Sequence, residues 1–424
     1  MISKIRDIVN NGLLKRFIGL FTVNILALPL GAITSIVITQ YLGAKVYGDY
    51  KFLDSVFKVA IVICNLGLFN AASRALLLNQ NRIQAKQYYA TILLITICLS
   101  VVMSVGLFIY AILDPNIESK GLFNALLCLI PFTAVYIINH CFEIVLQADN
   151  QIKLLSIVRL LPKIGYLIGG VAALMFLQNI AFSKLLIVCY IYFLTQIVVY
   201  LYVFIKLSPQ FRNIGLRWVE IKKYNREYGI DVYIGALFAV GFAMLPDILI
   251  SYFGIDNKGV GFYSLALMLS SPLAIIPSTI ATIQYRKYAY QTSISAKSIV
   301  STLALSICAM FILWLIIPIF IDYFYPPEFA VVSQYNRIVS LGVLLYGIAD
   351  FINRFIAAQG RGKLLRNSSF GVGIAVLIFN LALIPHFGAW GAVWSKLIVG
   401  IIYLFLMIYC YSKTTKELKQ STKG

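Results

Sequence analysis

Charge is scarce in this 424-residue chain: Asp, Glu, Lys and Arg make up 12% of it, against 61% apolar residues, and only 16 positions are acidic. Soluble domains carry about 25% charged residues, so this composition excludes one and points to an integral membrane protein. Histidine is rarer still, with only His140 and His386, which argues against a histidine-based metal site. The seven cysteines (Cys64, Cys98, Cys128, Cys141, Cys189, Cys308 and Cys410) lie inside apolar runs without paired spacing, and they read as small core side chains rather than disulfides or ligands. There is no G-x-x-x-x-G-K-S/T for a built-in ATPase, no G-x-S-x-G and no soluble nucleotide-sugar domain. A carrier is expected rather than an enzyme, with no metal and no cofactor beyond H+ or Na+ as a coupling ion.

What the chain has in abundance is long apolar runs. A spanning helix needs about 20 mostly apolar residues. Twelve runs meet this, near 17–40, 52–73, 88–112, 121–146, 155–178, 184–206, 229–253, 260–283, 298–321, 336–358, 367–386 and 389–411. They are continuous rather than alternating, which excludes barrel strands. Met1 to Arg16 is polar and basic and leads into a run long enough to stay in the bilayer, so no cleavable leader is expected.

The formal charge of +19 would suggest nucleic acid in a soluble protein; here its placement matters more. Basic residues gather at the amino end (Lys4, Arg6, Lys15, Arg16), in the even connections (such as Arg82 and Lys86, or Arg361, Lys363 and Arg366) and in the tail (Lys413, Lys416, Lys419, Lys423). The odd connections carry most of the loop acids, among them Asp49, Asp114, Glu118, Asp256, Asp322 and Glu328. Both termini are therefore expected to face the cytoplasm.

The chain also repeats itself. YLGAKVYGDY at 41–50 returns as YFGIDNKGVGFY at 252–263, pairing Gly43 with Gly254 and Gly48 with Gly261. Gln147 followed by Lys153-Leu154-Leu155 resembles Gln359 followed by Lys363-Leu364-Leu365. Offsets near half the length imply two six-helix lobes in a parallel repeat. The expected organisation is an amino-terminal lobe over 1–207, a basic cytoplasmic linker over 208–228, a second lobe over 229–412 and a basic tail over 413–424. The linker, with Trp218 and alternating charge, reads either as a helix on the inner surface or as an ordinary positive-inside connection.

Ionisable side chains within spans are costly and mark function by default. The cations are Lys58, Arg74, Arg159, Lys163, Arg354 and Lys396. Asp54 and Lys58, and likewise Asp350 and Arg354, are four apart and can pair on one helix face. Arg159 and Lys163 share a face yet repel, which favours an anionic partner, and Lys396 has no carboxylate at helical spacing. Among the acids, Asp350, Asp247 and Glu143 are candidates for proton or sodium coupling, with His140 and Glu143 spaced for a relay or a hydrogen-bonded pair. Pro29, Pro131, Pro162, Pro246, Pro272, Pro277, Pro318 and Pro385 interrupt the spans, where helices can bend. Tyrosines such as Tyr41, Tyr47, Tyr50, Tyr252, Tyr263, Tyr409 and Tyr411 cluster near span ends as interface anchors or sugar-stacking rings.

Five stretches, taken in order, carry a resemblance: YLGAKVYGDY, NLGLFNAASR (65–74), LQADNQ, KGVGFYSLA (258–266) and FNLALIPHFGAWGAVWS (379–395). Together with twelve spans they resemble the Wzx-type O-antigen and polysaccharide flippases of the multidrug/oligosaccharidyl-lipid/polysaccharide exporter superfamily. The resemblance implies two six-helix lobes around a central cavity that opens alternately to either side. It also implies a multi-pass place in the bacterial inner membrane and a substrate of undecaprenyl-pyrophosphate bearing one oligosaccharide repeat unit. O-antigen polymerase and a chain-length regulator are the protein partners it suggests. A pyrophosphate needs cations away from water, which the six basic residues above supply. A drug or metabolite antiporter of the same superfamily is the alternative, although cations outnumber acids among the candidates. A membrane polymerase or ligase would present a long outer loop, and a lipid II flippase two further helices.

Overall fold

The computed structural model describes residues 12–78, 81–237 and 242–421. Lys4, Arg6 and Lys423, counted above among the basic termini, lie outside these residues. Helices α1 (Gly12–Cys64), α2 (Leu68–Leu78), α3 (Arg82–Leu113), α4 (Phe123–Ala148), α5 (Ile152–Phe176) and α6 (Lys184–Leu207) come first. After them come α7 (Ile214–Tyr224), α8 (Ile230–Ala236), α9 (Leu245–Phe253), α10 (Lys258–Ser270) and α11 (Pro272–Tyr288). The chain closes with α12 (Ala296–Phe324), α13 (Val331–Ala358), α14 (Gly362–Phe387) and α15 (Ala389–Ser421).

Among the described residues, ten helical stretches are long and apolar enough to cross a bilayer, one of them α10 and α11 taken together. The twelve apolar runs map onto them with three differences. The first two runs share α1, which does not stop at the loop expected near residue 41 but bends at Gly43, whose φ of 71° is a left-handed conformation that glycine adopts without strain. The run at 229–253 is divided into α8, a short 3-10 turn at Phe242–Met244, and α9. Pro246, which has no backbone N–H to donate, sits in the first turn of α9, where none is needed. A third difference is that the second run is broken at Asn65–Gly67, where Leu66 and Gly67 both have positive φ, so α2 follows as a separate helix.

The chain divides into two compact units. Unit 1 takes the chain up to Leu42 and from Val56 to Leu237, and unit 2 takes Gly43–Ser55 and everything from Phe238 on. Unit 1 packs aromatic side chains in layers, with Phe57 stacked on Tyr136 at 4.9 Å and Phe132 on Phe193 at 5.0 Å. Linker helix α7 docks on α3 of this unit through a buried arginine paired with a half-buried glutamate. Arg217 Nη1 donates to Glu220 at 2.7 and 2.9 Å, its Nε donates to Gln87 at 3.1 Å, and the Tyr88 hydroxyl donates to Glu220. Burial opposes the charge of Arg217, but these acceptors outweigh it and hold the guanidinium above its ordinary range. The outer side of α7 exposes Leu216, Trp218 and Val219, the amphipathic pattern of a surface helix.

The repeat is visible at the backbone. At the turn between α4 and α5, Asp149, Asn150 and Gln151 donate N–H bonds to the carbonyls of Val145, Gln147 and Leu146. Gln359, Gly360 and Arg361 donate in the same order to Phe355, Ala357 and Ile356, between α13 and α14. Asn150 and Gly360 have φ of 55° and 71°. The shared register therefore sets Lys153 against Lys363, as the sequence does, but Ala357 rather than Gln359 against Gln147. Gly43 and Gly254 differ, since Gly254 is extended at φ −91°. In unit 2 the glycines of the first repeat pack on the second. A Cβ on Gly48 would lie 1.9 Å from the Asn257 carbonyl oxygen, and one on Gly261 would lie 3.2 Å from Gly48. Asn257 Nδ2 donates to Asp49 Oδ1 at 2.7 Å and fastens the contact.

Candidate functional site

Six of the ten candidate residues fall into two groups, Glu143, Arg159 and Lys163 in unit 1 and Asp350, Arg354 and Lys396 in unit 2, and the other four lie apart from them. In unit 1, α4 and α5 run side by side and bring Glu143 to Arg159, whose Nε donates to the two carboxylate oxygens at 3.0 and 2.9 Å and whose Nη2 also donates to Oε2. The anionic partner that the Arg159–Lys163 repulsion called for is thus present in the chain itself. Both members of the pair keep a quarter to a third of their side chains exposed, 25% for Arg159 and 31% for Glu143. Lys163, one turn further along α5, is exposed and makes no ion pair or side-chain hydrogen bond among the described residues. His140 does not bond Glu143. Its Nε2 lies 3.0 Å from Asn65 Nδ2, at the break that ends α1, and its ring meets the edge of Phe69.

Arg74 on α2 is exposed and lays its guanidinium 5.1 Å from the centre of the Tyr228 ring, a cation–π contact. Lys58 is exposed on α1.

In unit 2 the glycines decide the geometry. A Cβ on Gly342 of α13 would lie 2.7 Å from the carbonyl oxygen of Lys396 on α15, and one on Gly400 of α15 would lie 2.7 Å from the carbonyl oxygen of Gly342. These bare positions let α13 and α15 approach closely. The approach delivers Tyr403 to Asp350, and the Tyr403 hydroxyl donates to Oδ1 at 2.8 Å while accepting from Asn353 Nδ2 at 2.9 Å. Tyr346 packs on Tyr403 with ring centres 4.5 Å apart, and Lys396 Nζ sits over the Tyr346 ring at 4.7 Å. The Asp350–Arg354 pairing expected from spacing does not form. Arg354 is exposed and has no carboxylate within 4.0 Å among the described residues, because Tyr403 holds the aspartate from the other side.

Asp247 lies apart from this cluster in the first turn of α9. Its Oδ2 accepts from Ser55 at 2.7 Å and its Oδ1 from Ser264 at 3.0 Å, so it pins α1 and α10 to the divided span.

Next to the Lys396–Tyr346 contact, unit 2 has a partly open cavity of about 200 Å³. Its walls include Pro246, Tyr263, Tyr346, Asn380, Lys396 and Tyr403. The two tyrosines beside Asp350 were not among the sequence candidates. Their signal was spacing: Tyr346 and Asp350 are four apart on α13, and Lys396 and Tyr403 are seven apart on α15, one face in each case. Chemically the two clusters offer ammonium and guanidinium groups at spanning depth, each with a carboxylate nearby, and they suit an anionic head group or a proton.

A family profile described as polysaccharide biosynthesis protein matches residues 13–286. No match was found among curated proteins. Among solved structures, the chain is similar to the lipid II flippase MurJ in an inward closed conformation, with a TM-score of 0.73 and 15% identity over 93% of this chain and 89% of that one. It is also similar to an inward-facing multidrug resistance MATE family transporter of the MOP superfamily, with a TM-score of 0.65 and 14% identity over 93% and 95% of the two chains. A third match, the MATE multidrug transporter DinF-BH in complex with R6G, has a TM-score of 0.59 and 15% identity over 92% and 93%.

Proposed function

Because this chain belongs to the polysaccharide biosynthesis protein family and has the fold of the MOP-superfamily transporters, we propose that it flips undecaprenyl-pyrophosphate-linked oligosaccharide repeat units from the cytoplasmic to the periplasmic leaflet. Transport proceeds by alternating access in the bacterial inner membrane, without covalent chemistry, and its products feed an O-antigen polymerase and a chain-length regulator. The observation that carries this reading is the surplus of cation at spanning depth. Lys163 and Lys396 have no carboxylate within ion-pair distance among the described residues, and an ammonium left in that state on a spanning helix is costly unless the cargo brings an anion.

In this reading Arg159 and Lys163 receive the pyrophosphate, with Arg159 exchanging a Glu143 oxygen for a phosphate oxygen. Lys396, Arg354, Arg74 and Lys58 extend the cationic path. Asp350, Asp247, Glu143 and His140 are the groups through which an H+ or Na+ gradient is coupled. The polyprenyl tail stays in lipid, so only the polar head has to cross. A drug antiporter shares the fold, but its cationic cargo would meet like charge at Lys163 and Lys396.

Proteoliposomes containing the purified chain and a fluorescent polyprenyl-pyrophosphate-linked glycan provide the test, read as the fraction of label that a membrane-impermeant quencher reaches over time. Protein-dependent flipping that falls at least tenfold in Arg159→Gln and in Lys396→Gln is expected. Equal rates in protein-free vesicles, or an unaffected double variant, would count against the proposal.

A further inference from the structure

The unit 2 cavity holds an imbalance that the ion-path reading leaves unexplained. Asn380 is 2% exposed and Ser395 1% exposed, both line the cavity, and Asn380 Oδ1 and Ser395 Oγ have no hydrogen-bond partner among the described residues. The amide of Asn380 is not free to turn over, because its Nδ2 already donates to the Val376 carbonyl at 2.7 Å and fixes the oxygen as the vacant acceptor. A buried polar atom left in this state has lost its water without gaining a partner, which destabilises the fold until a ligand supplies one. A third unused group is Lys396, whose ammonium rests on the Tyr346 ring and donates to no acceptor among the described residues. One cavity therefore collects a vacant acceptor, a hydroxyl that can donate or accept, and an ammonium with donors to spare.

The ligand that fits is set by complementarity. A lipid chain satisfies none of these groups. A pyrophosphate offers acceptors only, which suits Lys396 and Ser395 but sets oxygen against the vacant oxygen of Asn380. A sugar ring carries hydroxyls that donate to Asn380 and accept from Lys396, and its C–H faces pack on tyrosine. Three tyrosines, Tyr263, Tyr346 and Tyr403, supply such walls. The volume, about 200 Å³, lies below the ~300 Å³ at which drug-sized ligands are housed, so it takes one ring and not an oligosaccharide.

We propose that this cavity is a subsite for a single sugar ring of the lipid-linked glycan, with Asn380 and Ser395 as the side chains that determine which ring it accepts. The assignment rests on the flippase reading above and adds to it the place where the cargo is inspected.

The test uses the full chain in lipid nanodiscs and two kinds of probe: a short-chain prenyl pyrophosphate alone, and the same lipid bearing one hexose, one N-acetylhexosamine or one hexuronic acid. At least one glycosylated probe is expected to bind about tenfold tighter than the bare lipid. Asn380→Leu and Ser395→Ala remove that gain while leaving the affinity for the bare probe unchanged. Asn380→Leu also raises the thermal midpoint, because it replaces an unsatisfied amide by an apolar side chain of similar size, and so reports folding independently of binding. If the bare and all glycosylated probes bind wild type equally, the subsite is wrong and the flippase reading stands. If no probe binds wild type, the flippase reading falls and the subsite with it. A loss of bare-probe binding in both variants would make these residues structural and overturn the assignment.

Discussion

Arg159 makes a structural contact, and the proposed transport path runs through the same side chain. Its guanidinium bonds both oxygens of Glu143, and Lys163 stands one turn away with no carboxylate within ion-pair distance among the described residues. Removing one member of the pair has different consequences on the two sides. Arg159→Ala leaves a carboxylate without its donor and is expected to lower stability by about 2 kcal/mol, the scale of hydrogen bonds to charged groups. Glu143→Gln leaves the guanidinium an amide oxygen as acceptor and costs less. The double variant Arg159→Ala/Glu143→Ala recovers most of the stability but none of the transport, if Arg159 is there for the cargo. Thermal unfolding in detergent and vesicle flipping, measured on all three, separate the two roles, and transport by the double variant at the wild-type rate would contradict them. Sequence spacing singled these residues out because their charge and their place within an apolar run are readable from a string. It paired His140 with Glu143 and Asp350 with Arg354 because it sees neighbours on one helix, whereas Asn65, Arg159 and Tyr403 reach in from other helices.

Among the elements, glycine sets how closely helices approach. The twelve apolar runs were legible because length and hydropathy alone define a span. Where they break was less legible. Pro246 and Pro272 stand at element boundaries and Pro131 in a 3-10 turn inside α4, whereas Pro29, Pro162, Pro277, Pro318 and Pro385 lie within continuous helices, so proline alone does not distinguish a break from a bend. The duplicated glycines announced themselves as a repeat, but not as one repeat packed on the other at Gly48 and Gly261. That contact makes a sharp prediction. Gly48→Ala places a methyl against the Asn257 backbone and is expected to lower stability by roughly 1–3 kcal/mol, the range for overpacking a tight interface. Gly31→Ala, with nothing within 4 Å of the added carbon, is expected to be neutral or to stabilise α1 by up to about 1 kcal/mol. Thermal midpoints of the two variants check this, and equal losses would mean that the Gly48 contact does not hold the helices together.

For the molecule as a whole, the two halves repeat a turn bond for bond, yet their charged clusters differ. Unit 1 sets an arginine against a glutamate, and unit 2 sets a lysine on a tyrosine beside a tyrosine-held aspartate. Duplication thus supplies the scaffold while the chemistry diverges, which is why the architecture could be read from offsets and the tyrosine-lined cavity could not. The tyrosines of that cavity are ordinary apolar members of their runs until α13 and α15 are brought together.

The central claim is that the cargo is a lipid-linked repeat unit, and the most direct measurement is to delete the gene and identify lipid-linked intermediates by mass spectrometry alongside the surface glycan. The account predicts that a complete undecaprenyl-pyrophosphate repeat unit accumulates on the cytoplasmic side while surface glycan is lost. A surface bearing single unpolymerised repeats, or normal glycan with altered drug sensitivity, would contradict it.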